Sequence, residues 1–531
     1  MSNIVRSAYE DVSLPTLPYA EFIWKNFDDF GDQEAMVCGM TGRSYTYELL
    51  RLFSRKLGSA LVKRGLRKGD VLGLICPNIP EFAITFLGVA CVGGIITTIN
   101  PTYTAEEIAR QLQDSGAKFV VTVGPLADKV KEAVALCPLV EETFSIGDAE
   151  GLTPLHQIAA DLGDSLVECP PINIAEDVLV MPYSSGTTGL PKGVMLTHQN
   201  ITGNICQMMH PQISYTPKPA ETILAILPFF HSYAMTAIMG VGLHFGGRIL
   251  TLPRFETDTF LKAIHDHKPN IMYLVPPLVN FLATYPELNV DDLRNLHTIV
   301  CGAAPLSKNI VSTLLDRLHP QPIAFQEGYG MTELSPVSHV SPRDSGRIGT
   351  CGVLVPNTEA KIVDLNTGAA LGPGFEGELC VRGPQVMKGY LNNPRATRET
   401  IDRDGWLHTG DIANYDDQGF FHVIDRMKEL IKVKGLQVSP SELEDVLLTH
   451  PGIEDVAVIG VPDPMAGELP KAYIVPRNSF VSKEDIFAFT ESKLAPHKHL
   501  KGGIEFVSMI PKTQTGKILR RELKEQIRSQ A

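Results

Sequence analysis

The densest run of phosphate-directed chemistry in this 531-residue chain is Tyr183-Ser184-Ser185-Gly186-Thr187-Thr188-Gly189-Leu190-Pro191-Lys192-Gly193. Glycines let backbone N–H groups converge on an anion, hydroxyls add donors, and Lys192 adds charge, so a triphosphate is the natural guest. The Walker pattern G-x-x-x-x-G-K-[ST] is not met, because Pro191 precedes the lysine and Gly193 follows it. A second run, Gly328-Tyr329-Gly330-Met331-Thr332-Glu333, combines an aromatic face, a hydroxyl and a carboxylate. These suit a base, a phosphate oxygen and a hard cation such as Mg²⁺. Further candidates are His231 in Leu227-Pro228-Phe229-Phe230-His231-Ser232-Tyr233 and the turn Gly302-Ala303-Ala304-Pro305-Leu306. Asp411 closes Trp406-Leu407-His408-Thr409-Gly410-Asp411, and Asp425-Arg426 follows it. Lys517 lies in Pro511-Lys512-Thr513-Gln514-Thr515-Gly516-Lys517-Ile518. Taken singly, His231 reads as a core histidine, Asp425-Arg426 as a surface ion pair and Lys517 as part of a solvated turn.

The elements that must hold these residues read as α/β. Short β-branched runs, Val71–Cys76, Phe119–Val123, Val178–Met181, Thr222–Leu227, Ile271–Val275 and Thr298–Val300, have the length and composition of buried strands. Helical patterns at Tyr47–Arg64, Ala105–Ser115 and Thr257–His267 lie between them, and this alternation indicates parallel-rich sheets. From about residue 350 short strands at Glu359–Asp364, Glu378–Arg382 and Gly419–Val423 alternate with Gly-rich turns, which predicts a β-rich subdomain over 350–427. A small α+β module then begins with the capping box Ser439-Pro440-Ser441-Glu442. Its helix should end near His450, and strands Val456–Gly460 and Lys471–Val475 and helix Lys483–Leu494 complete it. The expected division is therefore 1–427 and 428–531, with one large region of two parallel-rich subdomains and a β-rich one.

Bulk properties narrow the function. The net charge of -13 argues against a general nucleic-acid binder, since counterion release needs a basic surface. The nine cysteines are scattered and never form C-x-x-C, as in a reducing compartment without structural zinc. The uncharged stretch from Phe82 to Thr98 contains Gly88, Gly93 and Gly94 and reads as a buried helix and strand, not a stable membrane insertion. The N-terminus lacks a signal-peptide pattern and the ending Arg528-Ser529-Gln530-Ala531 is not S-K-L. A cytoplasmic protein is expected, a peroxisomal one if the native C-terminus differs.

Together these motifs resemble, in order and over about residues 20–520, the adenylate-forming superfamily of acyl-CoA synthetases, peptide-synthetase adenylation domains and luciferases. The similarity is greatest to the 4-coumarate–CoA ligase and luciferase-like branch. The resemblance implies ATP, Mg²⁺ and coenzyme A as reaction components and a small carboxylic acid as the partner. It implies nucleotide contacts from Ser184, Ser185, Gly186, Thr187, Thr188, Gly189 and Lys192, and from Gly302, Ala303, Ala304, Gly328 and Gly330. Tyr329 would stack on adenine, Thr332 would meet the α-phosphate, Glu333 would hold magnesium, and Asp411 and Arg426 would face the ribose. His231 would lie beside the acid's carboxylate, and Lys517 would reach the carboxylate and α-phosphate. Lys432 and Gln437 match a second set of ligase contacts, with Lys434 an alternative to Lys432. Lys428 matches a hinge about which the small domain rotates. Tyr233, Ala303, Gly330, Pro336 and Val337 occupy acyl-pocket positions, small residues with one aromatic wall that suit a hydroxycinnamate or a medium-chain fatty acid. The alternatives are a luciferase-type monooxygenase, a domain that loads a carrier protein, and a silent ATP-binding protein.

Overall fold

The structure, a computed structural model, describes residues 3–161, 166–184, 191–434, 436–477, 481–513 and 516–530. Its first sheet is built on parallel strands Val71–Ile75, Ile95–Ile99, Ala117–Val123, Glu142–Ile146 and Val178–Val180. Val71–Ile75 is buried at every position, which is why it is apolar throughout and does not alternate. The uncharged stretch forms helix Pro80–Cys91, buried along its length, and then strand Ile95–Ile99. Among the described residues no helix is long and apolar enough to cross a membrane. That helix crosses Tyr47–Lys63 where two glycines meet: a Cβ on Gly58 would lie 2.3 Å from the Gly88 carbonyl oxygen. Helix Ala105–Ser115 starts in a reciprocal Thr104–Glu107 capping box and stops at Gly116, whose φ of 66° favours glycine.

A second sheet carries parallel strands Glu34–Cys38, Arg248–Thr251, Thr222–Ala225, Ile271–Leu274, Thr298–Cys301 and Ala324–Gly330, and Val337–Val340 returns antiparallel to the last. A third, antiparallel sheet contains Glu359–Val363, Gly377–Arg382, Leu407–Tyr415 and Phe421–Arg426. The strand expected at Gly419–Val423 instead starts at Phe421 and runs through Arg426. Gly419, at φ 79°, belongs to the preceding turn, which the Asp416 carboxylate holds by accepting from Phe420 N–H at 3.0 Å. This shift places Arg426 on a strand.

The C-terminal module has its own apolar core, including Val438, Leu443, Val458 and Ile474. Its hairpin strands, Ile453–Asp463 and Gly467–Pro476, are about twice the expected length, because pairing continues past the apolar centre into the polar ends. A short hairpin, Ile431–Val433 with Leu436–Val438, precedes helix Pro440–Leu448. Asp425, on the third sheet, accepts from Ser439 Oγ at 2.7 Å and Ser441 N–H at 2.9 Å, so a large-region carboxylate holds the start of that helix.

Candidate nucleotide and acid site

The C-terminal ends of strands Thr298–Cys301 and Ala324–Gly330 open onto a cavity of about 560 Å³. Close backbone approach there selects glycine: a Cβ on Gly330 would sit 1.8 Å from the Pro336 carbonyl oxygen. Gly302, Ala303, Gly328, Gly330, Tyr329, Thr332 and Glu333 all line the cavity, as do Tyr233, Pro336 and Val337. Ala304 is not among the lining residues. Of the phosphate-directed loop, Ser184 and Lys192 line the cavity, whereas Ser185, Gly186, Thr187, Thr188 and Gly189 lie outside the described residues.

Tyr329 donates its O–H to Asp411 Oδ2 at 2.6 Å, and Asp411 Oδ1 pairs with Arg426 Nε at 3.2 Å. The adjacent strands set this triad, since Asp411 and Arg426 are cross-strand partners. Burial raises the Asp411 carboxyl above its usual range, although Arg426 and Tyr329 pull it down. Glu333 is buried, and its Oε1 accepts from Ser184 Oγ at 2.9 Å and Tyr390 O–H at 2.8 Å. Its Oε2 makes no hydrogen bond among the described residues. One free carboxylate oxygen beside a phosphate-directed loop fits Mg²⁺, which is commonly held by one or two carboxylates together with substrate phosphates. Lys192 places its Nζ 4.5 Å from the centroid of the same Tyr390 ring.

The His231 ring is oriented by the backbone: Nδ1 accepts from Tyr233 N–H at 3.2 Å. That assigns the proton to Nε2. Burial, helped by the positive charge of Lys517, pushes the imidazole down to about 4, so it is neutral at pH 7. Ser232 Oγ donates to Thr332 Oγ1 at 3.4 Å. Lys517 also lines the cavity, delivered by the C-terminal module. Its turn is closed by Thr513 N–H donating to the Lys517 carbonyl at 2.8 Å and by Lys517 N–H donating to Thr513 Oγ1 at 3.1 Å. Gly516, at φ 80°, rests against the large region so closely that a Cβ would fall 2.7 Å from Pro277 Cδ. Burial lowers the Lys517 pKa, and Arg426 adds to the effect.

Lys428 is exposed and lines the mouth. Lys432 and Gln437 are not brought to the cavity. They face each other across the exposed Ile431–Val433/Leu436–Val438 hairpin, and Lys434 sits in its turn at φ 50°. Other lining residues escaped the sequence reading, among them Tyr390, Met208, Tyr215, Tyr273 and Gln326. Tyr390 offered no local signal, since an aromatic after Gly389 is common. Met208 comes from a helix end, Tyr273 and Gln326 from the interior of strands and Tyr215 from a connecting loop, where the residue type carries no functional pattern.

The comparisons agree with this geometry. The AMP-binding enzyme family matches residues 23–391, and its C-terminal domain matches 442–517. The 4-coumarate–CoA ligase of Vanilla planifolia is 38% identical, covering 99% of this chain and 97% of that protein. The 4-coumarate–CoA ligase 1 of Petroselinum crispum is 39% identical over the same shares. ATP-bound MatB from Rhodopseudomonas palustris superposes with a TM-score of 0.86 at 27% identity, covering 96% of this chain and 99% of that one. Two-region architecture, cavity and sequence therefore lead to one conclusion: the chain belongs to the AMP-binding enzyme family.

Proposed function

We propose that the protein is an AMP-forming acid–thiol ligase that joins a carboxylic acid to coenzyme A through an acyl-adenylate. The observation that carries this reading is a lysine from the small module, Lys517, lining one cavity with Tyr329, Thr332, Glu333 and Arg426. The curated relatives are named as 4-coumarate–CoA ligases, and no luciferase stands among the relatives reported above.

In the first half-reaction the acid's carboxylate oxygen attacks the α-phosphorus of ATP, and the bond to pyrophosphate breaks with its electron pair leaving on pyrophosphate. Tyr329 offers its ring face to adenine, and Asp411 with Arg426 faces the ribose hydroxyls. Nucleophile and triphosphate are both anionic, so the site must supply positive charge. Lys192, Lys517 and the donors of Thr332 and the Ser184–Lys192 loop do so. Glu333 would hold Mg²⁺, whose part is to offset phosphate charge. His231, neutral, presents Nε2–H to the carboxylate and orients it without adding a competing charge.

In the second half-reaction the thiol sulfur attacks the acyl carbon, the acyl–phosphate bond breaks, AMP leaves, and the thiol proton passes to solvent. Lys517 must vacate the space the thiol needs. The 1–427 and 428–531 domains therefore rotate about Lys428, and this motion carries Lys432 and Gln437 towards the site. The acid is a hydroxycinnamate-like aryl acid or a medium-chain fatty acid. A coenzyme A-dependent AMP-release assay across cinnamates and short, medium and long fatty acids tests the whole reading. Release of AMP that requires both acid and thiol is the expected result, and no release with any acid would sink it.

A further inference from the structure

Outside the residues assigned to the reaction, a carboxylate, a thiol and an imidazole converge on the third sheet. Glu378 and Cys380 lie on strand Gly377–Arg382, and Cys380 is the register partner of His408 on strand Leu407–Tyr415. His408 Nδ1 lies 2.8 Å from Glu378 Oε2 and 3.4 Å from Cys380 Sγ. One ligand atom from each of the three residues lies within 4.8 Å of the other two. The pairing of the two strands is irregular between Glu378 and Cys380. There Gly410, at φ 71°, donates its N–H to Glu378 Oε1 at 3.2 Å. No C-x-x-C pattern announces the group, because its members come from two strands.

These separations suit one small ion. Zinc bond lengths to sulfur, nitrogen and oxygen set tetrahedral ligand atoms roughly 3.3–3.6 Å apart. The imidazole and carboxylate therefore need to part by only about half an ångström, and the thiol and imidazole by less. The surroundings also resemble those of a metal centre, where outer groups orient the ligands. Gly410 N–H holds Glu378 Oε1 and leaves Oε2 for an ion, and Asp402 Oδ2 lies 3.6 Å from His408 Nε2, the ring nitrogen an ion on Nδ1 would leave free. Access is from the cavity: Glu378 and His408 line it, with side chains 12% and 31% exposed, and the buried Cys380 thiol lies within reach of both. Without an ion the same groups make a hydrogen-bonded cluster, and the two states differ in whether sulfur binds metal.

We propose that Glu378, Cys380 and His408 form a metal site, separate from the magnesium position at Glu333, that takes a thiolate-preferring divalent ion, Zn²⁺ above all. Thiolate and imidazole suit zinc, whereas Mg²⁺ takes oxygen ligands and leaves such a set empty. Three protein ligands leave a fourth tetrahedral position for water or another small ligand. On binding, the thiol proton and any proton on Nδ1 pass to solvent, so affinity falls as pH falls. The ion would be held on the strand that also carries Asp411. The inference uses no step of the ligase reaction, and its test needs no turnover.

The test titrates the full-length protein with Co²⁺, without ATP and with Mg²⁺ in excess, and reads the absorption spectrum. The expected result is a thiolate-to-cobalt charge-transfer band with the intense visible bands of a tetrahedral ion, saturating at one Co²⁺ per chain and abolished by Zn²⁺. Cys380→Ser should remove the charge-transfer band. Glu378→Gln and His408→Gln should each weaken Zn²⁺ binding, measured against a chromophoric chelator, by at least about tenfold, the loss typical even of outer partners. No charge-transfer band in the wild-type protein would overturn the proposal, and so would a band that persists in Cys380→Ser. If that variant does not fold, His408→Gln decides, since its side chain is partly exposed. Zn²⁺ affinity unchanged in His408→Gln would mean that the metal sits elsewhere on the surface, and would overturn the site.

Discussion

The two ends of the cavity are built differently. The end proposed for the nucleotide is assembled from short contiguous motifs whose side chains are charged, hydroxylated or glycine, and whose hydrogen bonds interlock: Tyr329 with Asp411, Asp411 with Arg426, Glu333 with Ser184 and Tyr390. The end proposed for the acid's tail is assembled from single residues scattered over several elements, Met208, Tyr215, Ile271, Thr298 and Gln326. The contrast follows from the ligands. A nucleotide is invariant and polar, so its site needs particular atoms at particular places, and short segments supply them. An acid's tail is read mainly by the shape left between packed elements, so its site belongs to no segment.

The sharpest way to break this comparison is at Lys517, a charge that the small module brings into the cavity. Lys517→Ala should lower acid-dependent pyrophosphate exchange by about 10²–10³, the usual loss for one preorganised donor. Thioester formation from preformed acyl-AMP should suffer much less, and equal damage to both steps would refute the role. Lys428→Pro should act in the opposite sense, since a residue that must change φ and ψ during rotation cannot do so as proline. Coenzyme A-dependent turnover should drop more than exchange, and unimpaired thioester formation would count against a hinge there.

Acid stability sharpens the comparison through the neutral histidines of the large region. Burial pushes His231, His198 and His244 each down to about 4, from an ordinary value near 6.5. Because the folded pKa is depressed, the unfolded chain binds protons first as pH falls. The stability associated with neutral histidine is complete above about pH 6.5 and is lost progressively towards pH 4. Each such group should contribute a slope on the order of 1.4 kcal/mol per pH unit in that window. Urea unfolding midpoints measured from pH 7 to pH 4.5 check this, and a flat profile would contradict it. The smallest effect is expected at Lys432, outside the cavity. Lys432→Ala should leave pyrophosphate exchange within about twofold, as for most surface changes, while slowing thioester formation. A large loss of exchange would place it in the first half-reaction instead.

That Tyr329, Gly330, Thr332 and Glu333 share one cavity could be read from the chain alone because they are neighbours in sequence. Thr332 and Glu333 follow Tyr329 on one strand and the turn beyond it, and Gly330 is demanded by the Pro336 carbonyl six residues later. The α/β alternation was legible for the same reason, since buried parallel strands are apolar throughout. Strand ends were less so. Arg426 belongs to a strand because Gly419 turns before it, and the long hairpin Ile453–Asp463/Gly467–Pro476 extends into polar sequence that carries no strand pattern.

Fold class, the order of the motifs and the residue types fit to meet a nucleotide are properties of neighbouring residues, and the amino-acid order suffices for them. Which residues share the cavity is not such a property. Lys517 stands beside Arg426 and His231 only because the turn at Gly516 packs on Pro277, and Lys432 stands away from them although it is much nearer to Arg426 in the chain. Gln326 looks like any buried strand residue until Ile213, far from it in sequence, and Ser341, just past the neighbouring strand, claim one side of its amide and leave the other without a partner. Packing alone decides such matters, because a side chain's chemistry depends on what surrounds it in space.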